Sequence, residues 1–376
     1  MPREIITIQV GQCGNQIGMA FWDLLLKEHD LNNTKGKIFD SALSSFFKNY
    51  DEEYNHVSHK PGKPINNLLA RSIIVDTEEG VINQIMKGKN ASIFDELNII
   101  KNVSGAGNNW AHGYAEYGPD HHDEILDKLR REVEETDSLQ CFLLFHSLGG
   151  GTGSGLGSYI VETLADEYSD IFRFTASVFP SEDDDVNTSP YNSCLATNKL
   201  IEHSDCTFPI DNDSLINIVH GGKGESIVAN KKEKMEVFGK MNSIIGHLLS
   251  NLTCSMRFEG RLNIDLNEIT MNMVPFPKLH FLLSSMSPLQ TLLKKSQPRK
   301  IDQIFRDVLL PENQLVSCKP NAGTYMAFGL MLRGQVAMSD VSYNIEKIKK
   351  KADMVWWNPD GFKYGICDNR PSYNVI

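Results

Sequence analysis

Residues 147–155 read SLGGGTGSG, with five glycines in the last seven positions. The apolar run Cys141–Phe145 before them predicts a buried strand, and an amphipathic pattern after them predicts a helix with Leu156, Ile160, Val161 and Leu164 on one face. Glycine has no Cβ, so its backbone N–H groups can approach a ligand closely, and a helix start adds positive potential. Strand, glycine loop and helix together predict a site for a nucleotide di- or triphosphate.

Three alternative interpretations of this loop fit less well. A flexible linker would not lie between a strand and an amphipathic helix. A dinucleotide site would use Gly151-Thr152-Gly153 as the start of its fingerprint, but that fingerprint follows a first strand and this loop follows a middle one. A Walker A loop ends in Gly-Lys-Ser/Thr, which is absent from these residues. The phosphates would therefore be held by backbone amides, a helix dipole and a metal.

The composition narrows the class of protein. The chain has 376 residues, enough for two domains, and 41% hydrophobic and 23% charged residues are typical of a globular protein. A net charge of −11 disfavours nucleic-acid binding. Seven cysteines without a CxxC pair disfavour a disulfide framework or a structural zinc site and suit a reducing compartment. We expect a cytoplasmic protein without a signal peptide or membrane insertion, because no apolar run approaches 18 residues.

Further strands are predicted at residues 5–10, 71–75 and 174–179, and each ends in a loop of unusual composition. Strands that alternate with helices predict a parallel α/β sheet, in which ligands bind beyond the carboxyl ends of the strands. The polar stretch from Asn32 to Asn67 is predicted to be a long surface loop with one short element near residues 42–47.

The second part of the chain has a different pattern. The lysine-rich segment 223–234 precedes a long helix pattern at residues 237–252, and strand-like segments follow at 280–283, 325–332 and 354–357. We predict a fold that joins a parallel-sheet α/β domain through a core helix to a second α+β domain. The predicted bounds are 1–236 for the first domain, 237–253 for the connecting helix and 254–376 for the second domain.

Several polar residues have two interpretations each. Asp76 and Glu78 follow a predicted strand, where they would serve either the turn or a bound Mg²⁺. Amides near apolar runs either cap helices or read the edge of a guanine base, and these are Asn108, Asn212 and Asn242. The cluster at residues 121–124 (HHDE) is interpreted as a helix start rather than a metal site.

Four motifs, taken in order and spacing, resemble the tubulin family: residues 11–16 (GQCGNQ), 105–110 (GAGNNW), 149–155 (GGGTGSG) and 272–277 (NMVPFP). The glycine loop is also similar to that of the bacterial division GTPases. The resemblance extends from Ile5 to about Asn369, and stretches such as 21–23 (FWD), 189–193 (SPYNS) and 257–260 (RFEG) resemble the epsilon branch of the family.

The resemblance implies that the chain binds GTP or GDP with Mg²⁺ in a tubulin-like fold. The positions that would contact the nucleotide are Gln12, Cys13, Gly105, Ala106, Gly107, Asn108, Ser147, Gly149, Gly150, Gly151, Thr152, Gly153 and Ser154. Asn212 and Asn242 would recognise guanine, and Phe238 would stack on it. Glu78, with Asp76, would support Mg²⁺.

The resemblance also implies a role for Glu268, in a predicted loop at residues 263–268. Alpha-tubulin keeps an acidic residue at this place that promotes hydrolysis in the neighbouring subunit, so Glu268 would act in trans. The implied partners are other tubulin subunits, through longitudinal contacts, and components of the centriole or basal body. Three alternatives stay open: a GTP-binding structural or capping subunit that does not hydrolyse, a non-functional truncated form, and a dinucleotide-dependent enzyme.

The sequence departs from the family pattern in three places. Ser189 stands where most tubulins have a glutamate near the ribose, although residues 183–185 are acidic and close by. The segment between Asn212 and Phe238 is longer than usual. The chain stops at Ile376, so we expect the second domain to lack a C-terminal helical hairpin and an acidic tail.

Overall fold

The computed structural model describes residues 3–31, 37–51, 56–58, 61–181, 184, 186–220, 231–289 and 300–372. The chain divides into two compact units, Met1–Thr207 and Phe208–Ile376. Much of the lysine-rich segment, residues 223–230, lies outside the described residues. The domain bounds predicted from the sequence stay a prediction.

The strands are β1 (Glu4–Val10), β2 (Phe47–Asp51), β3 (His56–Ser58), β4 (Asn67–Ala70), β5 (Ser72–Asp76), β6 (Ile99–Lys101), β7 (Leu139–Ser147), β8 (Phe172–Phe179), β9 (Cys206–Asp211), β10 (Gly260–Leu262), β11 (Phe328–Arg333) and β12 (Phe362–Cys367). The α-helices are α1 (Gly11–Glu28), α2 (Glu79–Met86), α3 (Gly118–Asp120), α4 (His122–Glu134), α5 (Gly157–Glu167), α6 (Ser189–His203), α7 (Asn212–His220), α8 (Lys231–Leu252), α9 (Cys254–Arg257), α10 (Leu266–Met273), α11 (Ile301–Asp307) and α12 (Met338–Lys349). Two π-helical segments, His112–Tyr117 and Thr152–Leu156, run into α3 and α5.

A six-stranded sheet in the order β6-β5-β1-β7-β8-β9 forms the core of the fold. The pairs β6–β5, β5–β1, β1–β7 and β7–β8 are parallel, which confirms the predicted α/β sheet. Every residue of β1 is buried, as expected for a central strand with both faces covered. The four strands predicted from apolar runs are confirmed with small shifts of their ends, whereas β6 and β9 were not predicted.

The prediction of a long loop up to Asn67 is wrong, because the described part of this stretch contributes to a second, antiparallel sheet in the order β3-β2-β4. The sequence of β2, FKNYD, is mostly polar and does not show the apolar pattern of a strand. Lys48 is buried by ion pairs with Glu132 and Glu135, and the Asn49 side chain donates to the Pro64 carbonyl over 3.0 Å. Partners distant in the chain therefore allow these polar side chains to be buried within a strand.

The second unit contains a mixed sheet in the order β10-β12-β11, where β11 and β12 are parallel and β10 is antiparallel to β12. One apolar cluster of this unit contains Phe305, Leu330, Val341, Ile345, Ile348 and Ile366. Sheet and helices together confirm the predicted α+β class. No helix in the described ranges combines the length and apolar character needed to cross a membrane.

Three details of the second unit differ from the sequence prediction. The long helix α8 begins at Lys231 rather than at residue 237. Residues 280–283 and 354–357 are not strands, and they contain only isolated bridging residues. The predicted strand 325–332 is displaced to Phe328–Arg333, and the neighbouring β12 was not predicted.

Candidate functional site

Three glycine-rich segments meet at the carboxyl edge of the sheet: the start of α1 after β1, residues 105–110 after β6, and residues 149–155 after β7. Gly11, directly after β1, has φ 73°, a conformation that suits glycine. A Cβ built on Gly11 would lie 3.0 Å from the Gly153 nitrogen. A Cβ on Gly151 would lie 2.7 Å from the Asn109 nitrogen and 2.8 Å from the Ala106 oxygen. The loops therefore contact each other backbone to backbone, and the missing side chains are a requirement of this packing.

The main glycine loop begins where β7 ends, at Ser147, and passes into the π-helical segment Thr152–Leu156. The Ser154 side chain is fully buried, and its hydroxyl donates to the Gly150 carbonyl. Thr152 shares a hydrogen bond of 2.5 Å with Thr77, which follows β5. The first N–H groups of a helical segment have no partner within it, so this loop presents hydrogen-bond donors at the sheet edge.

The acidic loop after β5 carries a buried carboxylate. Asn15 donates to the Val75 carbonyl over 3.2 Å and to Asp76 Oδ2 over 3.5 Å. Burial raises the pKa of Asp76 to about 6, although hydrogen bonds from Glu78 and Asn15 oppose the rise. In the described part of the chain, Asp76 has no ion pair with a lysine or arginine. A buried carboxylate of this kind fits a divalent cation.

Glu78 lies beside the second glycine-rich loop. A Cβ built on Gly105 would lie 2.3 Å from Glu78 Oε1, so the glycine lets the Glu78 carboxylate lie directly against the loop. Both predicted metal-supporting residues, Glu78 and Asp76, are thus at the edge formed by the glycine loops. Carboxylate oxygens are the ligands that Mg²⁺ prefers, usually together with phosphate oxygens and water. The residues present therefore fit a magnesium–nucleotide complex.

Asn192, which was not predicted as a site residue, fastens two of the loops together. Its amide nitrogen donates to the Asn108 and Gly149 carbonyls, each over 2.8 Å, and its amide oxygen accepts from the Trp110 nitrogen over 2.9 Å. Asn108 itself has a positive φ of 52°. The only sequence signal for this role is an amide in the first turn of a helix, because both loops are distant in the chain.

Ser189, at the start of α6, holds a nearby carboxylate. Its hydroxyl donates to Asp184 Oδ2 over 2.6 Å and lies 3.4 Å from the Gly149 carbonyl oxygen. The other two acidic residues of the predicted group, Asp183 and Asp185, lie outside the described residues. The described contacts keep one carboxylate next to the glycine loop.

His146 is a second residue of this edge that is not predicted as a site residue, although a polar residue at the end of an apolar strand is a sequence signal. Its imidazole is fully buried; Nδ1 lies 2.9 Å from the Gly153 oxygen and Nε2 lies 2.8 Å from Ser177 Oγ. Burial lowers the pKa of His146 to about 4, so the ring is neutral at physiological pH.

Two predicted site residues lie in the first turn of α1. Gln12 is exposed, and burial raises the pKa of the Cys13 thiol to about 12.

The predicted base-reading residues belong to the second unit. Asn212 is the first residue of α7, after Asp211, whose carboxylate accepts from Ser317 Oγ over 2.6 Å. Phe238 and Asn242 are four positions apart on α8 and so share one helical face. Helices α7 and α8 pack against each other. Phe238 is exposed and Asn242 half-buried, so both are accessible for a planar ligand.

The structure corrects the local environment of Glu268. The predicted loop is wrong at this residue, because Glu268 lies in the first turn of α10. Its carboxylate oxygen Oε2 lies 3.4 Å from Lys363 Nζ. A negative charge near a helix N-terminus is stabilised by the helix dipole. The interpretation of residues 121–124 as a helix start is confirmed, since α4 begins at His122.

Comparison with known proteins finds similarity over 98% of this chain. The model of the Tubulin/FtsZ family GTPase domain matches residues 4–220, and the model of the tubulin C-terminal domain matches residues 277–375. The tubulin epsilon chain of Homo sapiens is 47% identical over 389 residues, covering 98% of this chain and 82% of its own length. The tubulin epsilon chain of Mus musculus is 46% identical with the same coverage, and the tubulin alpha-3 chain of Saccharomyces cerevisiae is 37% identical with 98% and 81% coverage.

Proposed function

The chain belongs to the tubulin family, and we propose that it is an epsilon-tubulin-like, GTP-binding subunit of the cytoskeleton. The observation that carries this proposal is the edge of the parallel sheet where the start of α1 and two glycine loops pack backbone to backbone beside hydroxyl and amide donors. A phosphate chain suits such an edge, because backbone N–H groups and helix starts bind anions without needing a lysine.

In this proposal the phosphates are bound by the start of α1 at residues 11–13 and by the loops at residues 105–108 and 147–154. Thr152 contributes a hydroxyl, and the buried Ser154 contributes its backbone N–H. Asp76 and Glu78 hold Mg²⁺, which neutralises phosphate charge when bound. Asn212 and Asn242 recognise guanine, because an amide side chain both donates and accepts, as the edge of that base requires. Phe238 offers an aromatic face for stacking.

We further propose that hydrolysis, where it occurs, is completed by a neighbouring subunit. Glu268 of one subunit would orient water at the nucleotide of the next, so that turnover is coupled to assembly, as residues supplied in trans do in other GTPases. The proposed partners are other tubulin subunits in longitudinal contact and components of the centriole or basal body. The centriole or basal body is also the proposed location of the protein. The identity with two epsilon chains supports this choice within the family.

The nucleotide that copurifies with the folded chain tests this proposal directly. We expect GDP or GTP in the released fraction. Calorimetry on nucleotide-free protein should show tighter binding of GTP than of ATP in the presence of Mg²⁺. Thr152→Val should weaken GTP binding about tenfold, since a hydroxyl contact to a charged group contributes about 1.5 kcal/mol or more. Equal affinities for ATP and GTP would contradict the assignment of guanine.

The contact between Glu268 and Lys363 favours a second candidate function. A carboxylate engaged by an ammonium group is less available to orient water, so the protein would bind GTP as a structural or capping subunit without hydrolysing it. GTP turnover should be measured for the chain alone and with added partner tubulin, using Glu268→Ala and Lys363→Met. A partner-dependent rise that Glu268→Ala abolishes supports hydrolysis in trans. No rise with any partner supports the structural role.

A further inference from the structure

His146 connects the glycine loop to the sheet beneath it. It is the penultimate residue of β7, its side chain is fully buried, and both ring nitrogens have partners. Nδ1 lies 2.9 Å from the backbone oxygen of Gly153, inside the glycine loop, and Nε2 lies 2.8 Å from Ser177 Oγ on β8. The imidazole therefore bridges a strand of the sheet and the loop proposed to bind phosphate.

The chemistry of these two partners fixes the tautomer. A carbonyl oxygen only accepts hydrogen bonds, so Nδ1 must carry the proton that it donates to Gly153. In the neutral ring Nε2 then has a lone pair, which accepts from the Ser177 hydroxyl. Burial supports this arrangement, because the lowered pKa of His146, about 4, keeps the ring neutral.

The hydrogen bond from His146 to the Gly153 carbonyl also sets the direction of the neighbouring Ser154 N–H group. The peptide bond between Gly153 and Ser154 is planar and trans, so its N–H points opposite to its C=O. With the carbonyl held by His146, the Ser154 N–H points away from the imidazole. Gly157 leaves room for the ring, because a Cβ there would lie 3.0 Å from Nδ1. The orientation of a loop N–H group is thereby set from beneath the loop.

We propose that His146 is a positioning residue for the nucleotide: as the Nδ1-protonated imidazole it orders the glycine loop before the phosphates bind. This inference rests on the proposed function of the loop. Ordering the backbone of a residue costs conformational entropy, and glycine loses more of it than any other residue. If His146 already orders the loop, nucleotide binding does not have to order it, and the nucleotide binds more tightly.

The first test needs no nucleotide. Long-range ¹H–¹⁵N correlation spectra of the protein labelled at histidine should assign a neutral His146 with its proton on Nδ1 at pH 7. His146→Asn identifies the signal by its disappearance. A proton on Nε2, or a charged ring at pH 7, would overturn the proposal.

The second test uses two amides that each replace one ring nitrogen. His146→Asn places an amide nitrogen near the position of Nδ1 and keeps a donor for Gly153, whereas His146→Gln reaches the position of Nε2 and keeps only the Ser177 contact. We expect GTP affinity within about threefold of the wild type for Asn and about tenfold weaker for Gln, the effect of one lost hydrogen bond. The ratio of GTP to ATP affinity should not change in either variant, because the proposed base-reading residues lie elsewhere.

The outcomes separate this inference from the proposed function. If wild-type protein binds no GTP, the proposed function fails, while the tautomer of His146 still shows whether its ring donates to the Gly153 carbonyl. If the wild type binds GTP and the Asn and Gln variants bind equally, the positioning role of His146 is wrong. A changed GTP to ATP ratio would indicate general damage to the fold and would also count against the proposal. Thermal unfolding of both variants shows whether they are folded.

Discussion

The two ends of the parallel sheet in the first unit differ in how they treat buried charge. At the amino ends of the strands every described buried charge has an opposite charge nearby. Arg71 pairs with Glu4 over 2.7 Å, and Lys48 lies between Glu132 and Glu135. Such networks are costly to break, because removing one partner leaves the other charge buried without compensation.

At the carboxyl ends the same sheet is surrounded by glycines, hydroxyls and amides. Its buried carboxylate, Asp76, receives hydrogen bonds from Asn15 and from backbone N–H groups but, in the described part of the chain, has no cationic partner. At the amino edge the described buried charges are therefore paired within the protein, whereas at the carboxyl edge the proposed Mg²⁺ would supply the cation that Asp76 lacks. This contrast between the two edges is what the following predictions test.

The largest expected effect tests the amino edge. Lys48→Met removes the cation between Glu132 and Glu135, and we expect a loss of about 3–5 kcal/mol of unfolding free energy. Urea unfolding at pH 7 measures it. Lys89→Met is the control, since Lys89 is 68% exposed in its pair with Asp23 and should change stability by less than about 1 kcal/mol. Similar losses for the two variants would contradict the contrast between the edges.

The second prediction tests the packing of loops at the carboxyl edge. Gly151→Ala places a Cβ within 3 Å of backbone atoms of Asn109 and Ala106. We expect a loss of about 1–3 kcal/mol of stability from overpacking and the loss of measurable GTP binding. Gly80→Ala, where no described atom outside its chain neighbours and its own helix backbone lies within 4 Å of the added carbon, should preserve binding and raise stability by up to about 1 kcal/mol. Unchanged GTP affinity in Gly151→Ala would show that the loops are not packed as described.

The third prediction concerns acid stability. The pKa of His146 is lowered from 6.5 to about 4 in the folded state, so the unfolded state binds a proton that the folded state does not between these values. Stability should therefore fall as pH falls from about 6.5 to about 4, and the His146 contribution should reach about 2 kcal/mol at pH 5. His146→Asn, which cannot titrate, should lose less stability between pH 7 and pH 5. Parallel pH profiles for the two proteins would contradict the buried neutral ring.

Features of the fold and the site whose cause is local are predictable from the sequence. The glycine loops were predicted because glycine determines what a backbone can do at its own position, and β1 and β7 because their apolar runs are continuous. Prediction fails where a residue depends on distant partners. Asn192 acts on carbonyls of two loops far away in the chain, and Lys48 is buried only because Glu132 and Glu135 meet it. The prediction of a loop at Glu268 is wrong because a short helix has too few turns to show a clear hydrophobic period.

The smallest expected effect concerns Asp76, whose replacement should change both the stability of the protein and its binding of Mg²⁺. Burial raises the pKa of Asp76 to about 6, so the folded state holds its proton more tightly than the unfolded state, and stability should fall as pH rises from about 3.8 to about 6. At pH 7 without ligand the ionised Asp76 therefore costs stability, and Asp76→Asn should gain about 1 kcal/mol in urea unfolding while GTP binding loses its dependence on Mg²⁺. Asp95→Asn is the matched control, because Asp95 already has Arg131 as its partner and its replacement should not raise stability. If Asp76→Asn stabilises the ligand-free protein and weakens Mg²⁺-dependent GTP binding, Asp76 serves ligand binding rather than the stability of the fold. Should Asp76→Asn destabilise the ligand-free protein, the carboxylate would be part of the structural framework, and the two edges of the sheet would not differ in the way described.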